Sequence, residues 1–289
     1  MACSQYPYNA GFWQGNPWVG RYIVVGESTY WYVYPKWIMM ERKDFLKSIS
    51  ALGFVMVTPL ISACSRSGSV TEPRTGMGAS GSGSAQDITP DTSCKETPVE
   101  TEGPFPTHDP AAYLRSDLRK GDGLGATLVS AITVVDVNNS CKPLENVYID
   151  IWHCDVDGNY SEYGGSQMQS SDYIDKHWLR GRQLTDSNGQ VKFTSIFPGW
   201  YQGRATHIHV HIFDTDGNSL LITQIAFQDS LATDVNSNGS DYGYTKGIDG
   251  YIYNNADNVF SDGVSQEMSV VTGSLDKGFE LAITLHVNT

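Results

Sequence analysis

Between Pro198 and Phe213 the chain runs PGWYQGRATHIHVHIF, with one tyrosine, one arginine and three histidines on alternate positions. Side chains two apart on a strand point the same way, roughly 7 Å apart along the chain, so His207, His209 and His211 share a face. Two adjacent imidazoles at that spacing can converge on one metal ion. The outer pair, ~13 Å apart, cannot do so without a bend. The spacing supports a His-x-His half-site and leaves the pairs 207/209 and 209/211 equally open. The plainer alternative is a row of histidines hydrogen-bonded to acidic neighbours, but three of the chain's seven histidines fall within these five residues. Two phenols, Tyr160 and Tyr201, are candidates for further ligands. A tyrosine must lose a proton of reference pKa ~10 before it ligates, which suits a hard, highly charged cation such as ferric iron. Zinc would more readily recruit cysteine or a third histidine. Residue types alone take the reading as far as a candidate metal site.

Short strands must carry these residues. ATLVSAITVVDV (126–137), NVYIDIWHCD (146–155), QVKFTSIF (190–197), HIHVHIFD (207–214), LLITQIAF (220–227) and ELAITLHV (280–287) are rich in β-branched residues, and Asn, Asp and Gly turns separate several of them. No long amphipathic helix interrupts them. Such spacing predicts an all-β, antiparallel-rich β-sandwich with long loops, occupying residues 95–289 as one domain. The polar stretch 229–262 is expected to be loop. Asp234-Val235-Asn236-Ser237-Asn238-Gly239 imitates the start of a calcium loop, but Thr245 stands at the twelfth position where a bidentate glutamate belongs, so a solvated turn is the favoured reading.

Upstream of the domain the composition changes. From Met40, MERKDFLKSISALGFVMVTPLISAC has a basic head, a short apolar stretch and small residues before Cys64, the layout of a secretory signal over 40–63. Ile61-Ser62-Ala63-Cys64 resembles a bacterial lipobox, which implies cleavage before Cys64 and lipidation of its thiol. The apolar run is short for a bilayer span and contains Pro59. Residues 1–39 are then a doubtful prefix, with a translation start expected at Met39 or Met40. Residues 64–94, rich in Gly and Ser, read as a flexible tether. The Gly76–Gly81 match to GxGxxG has neither a strand before it nor a helix after it, so it is not taken as a nucleotide site. The expected location is that of an exported lipoprotein, touching the membrane only through its lipid.

The chain carries a formal charge of −13, which argues against nucleic acid as a partner. Export permits a disulfide. Cys94 and Cys141 are the expected pair, with Cys154, in an apolar strand, a buried free thiol.

The motifs TEGPF (101–105), WHCDVDGNYS (152–161), LRGRQLTDSNGQVKF (179–193) and PGWYQGRATHIHV (198–210) resemble the intradiol ring-cleavage dioxygenases, in particular their exported branch. The resemblance covers roughly 95–289. It implies one non-haem Fe(III) held by Tyr160, Tyr201, His207 and His209, with His211 outside the ligand set. Gln224, fifteen positions beyond the second histidine, would lie beside substrate. Arg204 and Gln224 would stabilise negative charge in the pocket, and Tyr201 would leave the metal and accept a substrate proton. The implied reaction opens a catechol-type ring between its two hydroxyl-bearing carbons with O2, giving a cis,cis-muconate-type dicarboxylate. Pro104 and Phe105 would line the pocket. Trp152, His153 and His177 read as structural, and Trp178, Arg180 and Arg182 as anchors of the turn toward Asp186. Tyr201 and His207 are only six positions apart, a shorter connection than in the intracellular catechol enzymes, and no N-terminal dimerisation helix accompanies the domain, so the oligomeric state stays open. The rival readings are a non-catalytic surface β-sandwich module and an iron enzyme of the same fold acting on another aromatic substrate. A structural module has no reason to combine Tyr160, Arg204, His207, His209 and Gln224.

Overall fold

The structure, a computed structural model, describes residues 83–289 throughout and residues 18–25 and 28–35 as backbone strands. The expectations for the signal, Cys64 and most of the tether lie outside the described residues. In the N-terminal unit, β1 (Trp18–Val25) and β2 (Ser28–Pro35) pair antiparallel from Trp18 opposite Pro35 to Val25 opposite Ser28. The sequence of that prefix shows no clear strand period, so this hairpin was not anticipated.

The second unit is two open sheets around one core. One sheet contains β3 (Thr127–Asp136), flanked on one side by β11 (Gly278–Val287) and β10 (Val270–Ser274), and on the other by β7 (Gln190–Ile196) and the two-residue β4 (Lys142–Pro143). β3 and β11 run parallel; the other pairs in this sheet are antiparallel. The second sheet is antiparallel, in the order β6 (Arg180–Leu184), β5 (Tyr148–Trp152), β8 (His207–Phe213), β9 (Ser219–Ala226). The strand expectations locate β3, β5, β7, β8, β9 and β11. β4, β6 and β10 are short or polar and escaped them.

Alternation decides what faces the core. On β8, Ile208, Val210 and Ile212 are fully buried between the sheets with Ile149, Ile151, Leu221 and Ile225, each side chain contributing roughly 1.5–3 kcal/mol by burial. The same alternation sends His207, His209 and His211 to the other face. There the register sets Trp152 and Gln224 opposite His209, and Asp150 opposite His211. This outer face is not bare: loops cover it, and His207 and His209 are each 2% exposed.

Two expectations about the loops change. Asp229–Asn238 forms a helix, α1, inside the stretch expected to be loop, and it takes in Asp234–Asn238 of the calcium-loop imitation. Its buried residues are Asp229, Ala232, Val235 and Asn236. Two of these are polar, so no apolar helical stripe is written in the sequence. At the tether end, residues before 95 already bind the domain: Ser230 donates to Asp87 from both its backbone N–H and its hydroxyl, and Ile88 N–H donates to Gln228. Cys94 and Cys141 form a disulfide and Cys154 is a buried free thiol. Among the described residues no helix is long and apolar enough to cross a membrane.

Candidate metal centre

Three of the four expected ligand side chains meet. Tyr160 Oη lies 3.2 Å from His207 Nε2 and 3.3 Å from His209 Nε2, and the two Nε2 atoms are 3.1 Å apart. His207 Nδ1 donates to the Ala205 carbonyl at 2.7 Å, which leaves Nε2 as the lone-pair end of a neutral ring. Burial, with the Arg204 charge for His207 and the neighbouring His207 for His209, holds both imidazoles well below their ordinary pKa. Burial likewise raises the Tyr160 phenol well above its usual range. The single phenolic proton cannot bridge two ring nitrogens that also face each other. A cation bound by all three groups resolves that frustration, so the residues present fit a metal ion. Among the described residues no group of three or more His, Cys, Asp or Glu could hold a metal; this donor set depends on a tyrosine oxygen.

Local packing fixes each donor. The Tyr160 peptide is clamped by Gln169, whose amide accepts from Tyr160 N–H at 2.6 Å and donates to its carbonyl at 2.8 Å. Gly158, two residues earlier, has φ +88° and sits where a Cβ would come within 2.2 Å of the Trp200 carbonyl oxygen, so only glycine lets the two tyrosine-bearing loops close. Trp152 stacks on His209 with centroids 4.9 Å apart and planes 2° from parallel. Phe105 stacks on Tyr160 at 4.7 Å and meets Tyr163 and Tyr201 edge-on. The backbone of Gly103 (φ +69°) approaches the edge of the His209 ring, where a Cβ would lie 3.1 Å from Cε1.

Tyr201 stands differently. Its ring is edge-on to Tyr160 at 6.0 Å, but its hydroxyl donates to the Met168 carbonyl at 2.9 Å. His211 is outside the cluster, paired with Glu102 at 3.0 Å and Ser219 at 2.8 Å. Arg204 and Gln224 touch: the arginine Nη2 donates to Gln224 Oε1 at 2.7 Å, and the Gln224 amide donates to the Thr101 carbonyl at 2.8 Å.

Sequence reasoning misassigned Arg180. It does not anchor the turn at Asp186; it is 1% exposed and donates to the Phe105 carbonyl, the Ser161 carbonyl and hydroxyl, and Thr107. It ties the TEGPF segment to the turn carrying Tyr160, with the Glu162 carboxylate 3.6 Å away. Arg182 pairs with Asp150. His153 is structural, with Nδ1 donating to the Cys154 carbonyl at 2.8 Å and Nε2 on Ser195. Asp257 and Gln169 were missed, because each acts from a loop without a motif of its own. Surface grooves lie elsewhere: one of about 290 Å³, with Ala131, Thr133, Ala282 and Thr284 in its walls, runs over the outer face of the five-stranded sheet. It is lined by none of Tyr160, His207 and His209, and the candidate metal site is their cluster.

Fold and site together define an open two-sheet β protein with a buried tyrosine–histidine cluster beneath loops on one sheet. A model of the family described as Dioxygenase matches residues 102–238. The chain is 29% identical over 137 residues to the protocatechuate 3,4-dioxygenase beta chain of Burkholderia cepacia, covering 45% of this chain and 54% of that one. It is 29% identical over 150 residues to catechol 1,2-dioxygenase of Acinetobacter baylyi, covering 45% of each. The chain spans about half the length of these curated relatives. The solved intradiol ring-cleavage dioxygenase from Tetranychus urticae superposes with a TM-score of 0.59 at 29% identity, over 68% of this chain and 95% of that one. In sequence and fold the chain is similar to the intradiol ring-cleavage dioxygenases.

Proposed function

We propose that this chain is an exported, lipid-anchored intradiol dioxygenase that opens catechol-type rings with O2 to cis,cis-muconate-type dicarboxylates. The convergence of Tyr160 Oη, His207 Nε2 and His209 Nε2 within 3.1–3.3 Å carries the reading. These three residues, with Tyr201 as fourth, would hold Fe(III). Bound there, ferric iron would supply Lewis acidity toward a catecholate.

The remaining roles belong to the protein's side chains. Tyr201, whose hydroxyl already has an acceptor in the Met168 carbonyl, can leave the cluster and take a substrate proton without stranding its own hydroxyl. Arg204 and Gln224, joined by a 2.7 Å hydrogen bond, offer fixed donors to negative charge developing on the substrate. Phe105, Tyr163 and Trp152 wall the cluster with aromatic surface that excludes water and suits a planar ring. The signal layout over 40–63 supports export, with the lipid on Cys64 as the membrane attachment.

Iron-loaded protein is expected to be red-brown from phenolate-to-Fe(III) charge transfer, with the band shifting when catechol is added, and to consume O2 with a panel of catechols. A colourless protein that retains zinc and takes up no O2 would refute the assignment.

A further inference from the structure

A guanidinium has five N–H groups in a rigid plane, and the placement of those of Arg204 is uneven. Its Nε donates to both carboxylate oxygens of Asp257, at 2.9 and 2.8 Å, and its Nη2 donates to Gln224. Nε–H and the neighbouring Nη2–H lie along one edge of the plane, so that edge is engaged. Among the described residues the N–H groups of Nη1 meet no protein acceptor. The Asp257 side chain is completely buried. Its Oδ2 also accepts from Ala205 N–H at 2.8 Å, and its Oδ1 from Val259 N–H at 3.0 Å. Ala205 in turn accepts the Nδ1 proton of His207. One carboxylate therefore fixes both the guanidinium and the N–H of Ala205, the residue whose carbonyl orients a histidine of the cluster. Asp257 lies beyond residues 102–238, the stretch that the Dioxygenase family model matches.

We propose that Asp257 is the positioning residue for Arg204. It grips one edge of the guanidinium through charge-assisted hydrogen bonds, leaving the other edge free to meet negative charge on the substrate. It also balances the arginine's charge, so the pocket presents oriented N–H dipoles rather than a mobile cation. This inference rests on the ring-cleavage reading.

Asp257→Asn keeps the size of the side chain but loses the charge and one of the two acceptor oxygens. In iron-loaded protein we expect kcat with catechol to fall roughly 10- to 100-fold, the scale of a displaced catalytic group, while KM changes less than about threefold and iron content stays at the wild-type level. In metal-free protein, solvent exchange of the Arg204 Nε–H should quicken at least about tenfold as its acceptor weakens. In an Arg204→Ala background the same substitution should cost no further kcat. Asp257→Glu, which keeps the charge, should recover part of the loss and replaces Asp257→Asn in the cycle if that variant does not fold. Unchanged kcat, or losses that multiply in the double variant, would overturn the role of Asp257. Iron-loaded wild type that takes up no O2 with any catechol overturns the ring-cleavage reading itself, before any variant is made.

Discussion

His207 Nε2 and His209 Nε2 stand 3.1 Å apart, with ring planes at 83°, although their backbone positions on a strand are separated by roughly 7 Å. The two rings lean toward each other and toward Tyr160. His211, the next residue on the same face, stacks on Phe213 at 3.8 Å and bonds Glu102 instead.

That asymmetry separates three chemically identical side chains. His207→Gln or Tyr160→Phe should lower iron affinity by at least about 10- to 100-fold, the range that even a residue hydrogen-bonded to a ligand commands. His211→Gln should leave the iron content unchanged. Bound iron per chain, measured after dialysis against a weak chelator, checks both outcomes.

Arg180 is a further point of failure. Replacing it with leucine strands the Phe105 and Ser161 carbonyls and leaves Glu162 buried without its arginine. Removing one partner of a buried charge pair costs roughly 3–5 kcal/mol. Denaturant unfolding of Arg180→Leu should show a loss of that order, and the variant should also bind less iron, because the Tyr160 turn loses its tie to Phe105.

Acid–base chemistry away from the cluster sets the pH range of stability. Burial, aided by the nearby Glu100 charge, raises the Glu267 carboxyl to about 8. Its Oε2 is buried without a hydrogen-bond partner. The unfolded chain releases this proton near the ordinary carboxylate pKa, the folded one only near 8. Stability from the protonated form is therefore complete at acid pH and is lost as pH rises from about 4.5 to about 8. His153 works in the opposite sense: burial lowers it to about 4, so stability falls as pH drops from about 6.5 to 4. Glu267→Gln should melt higher than wild type at pH 8.5, with the gap narrowing at pH 5.5.

The disulfide closes 47 residues between Cys94 and Cys141, worth about 4 kcal/mol on the loop-entropy model. It tacks down the segment whose Thr97 and Glu100 N–H groups donate to the carbonyls of His286 and Ile222. A Cys94→Ala/Cys141→Ala variant should melt roughly 10 °C lower, as differential scanning calorimetry would show.

Period-two alternation is a local property, and the sequence alone determined that β8 buries Ile208, Val210 and Ile212 while carrying its histidines on the opposite face. The β-sandwich followed from strands and turns of the same local kind. Helix α1 could not be read this way, because its buried face includes the polar Asn236 and Asp229, and the Asn254 and Gln86 N–H groups that donate to Asp229 reach it only after folding. Tertiary structure alone decided which histidines meet Tyr160, that Arg180 serves the site rather than a turn, and that Asp257 holds Arg204. These are contacts across 47 to 75 residues of chain, made by side chains whose direction depends on loops closing over a sheet. Local pattern fixes which face a residue occupies; only packing at a distance fixes what it touches there.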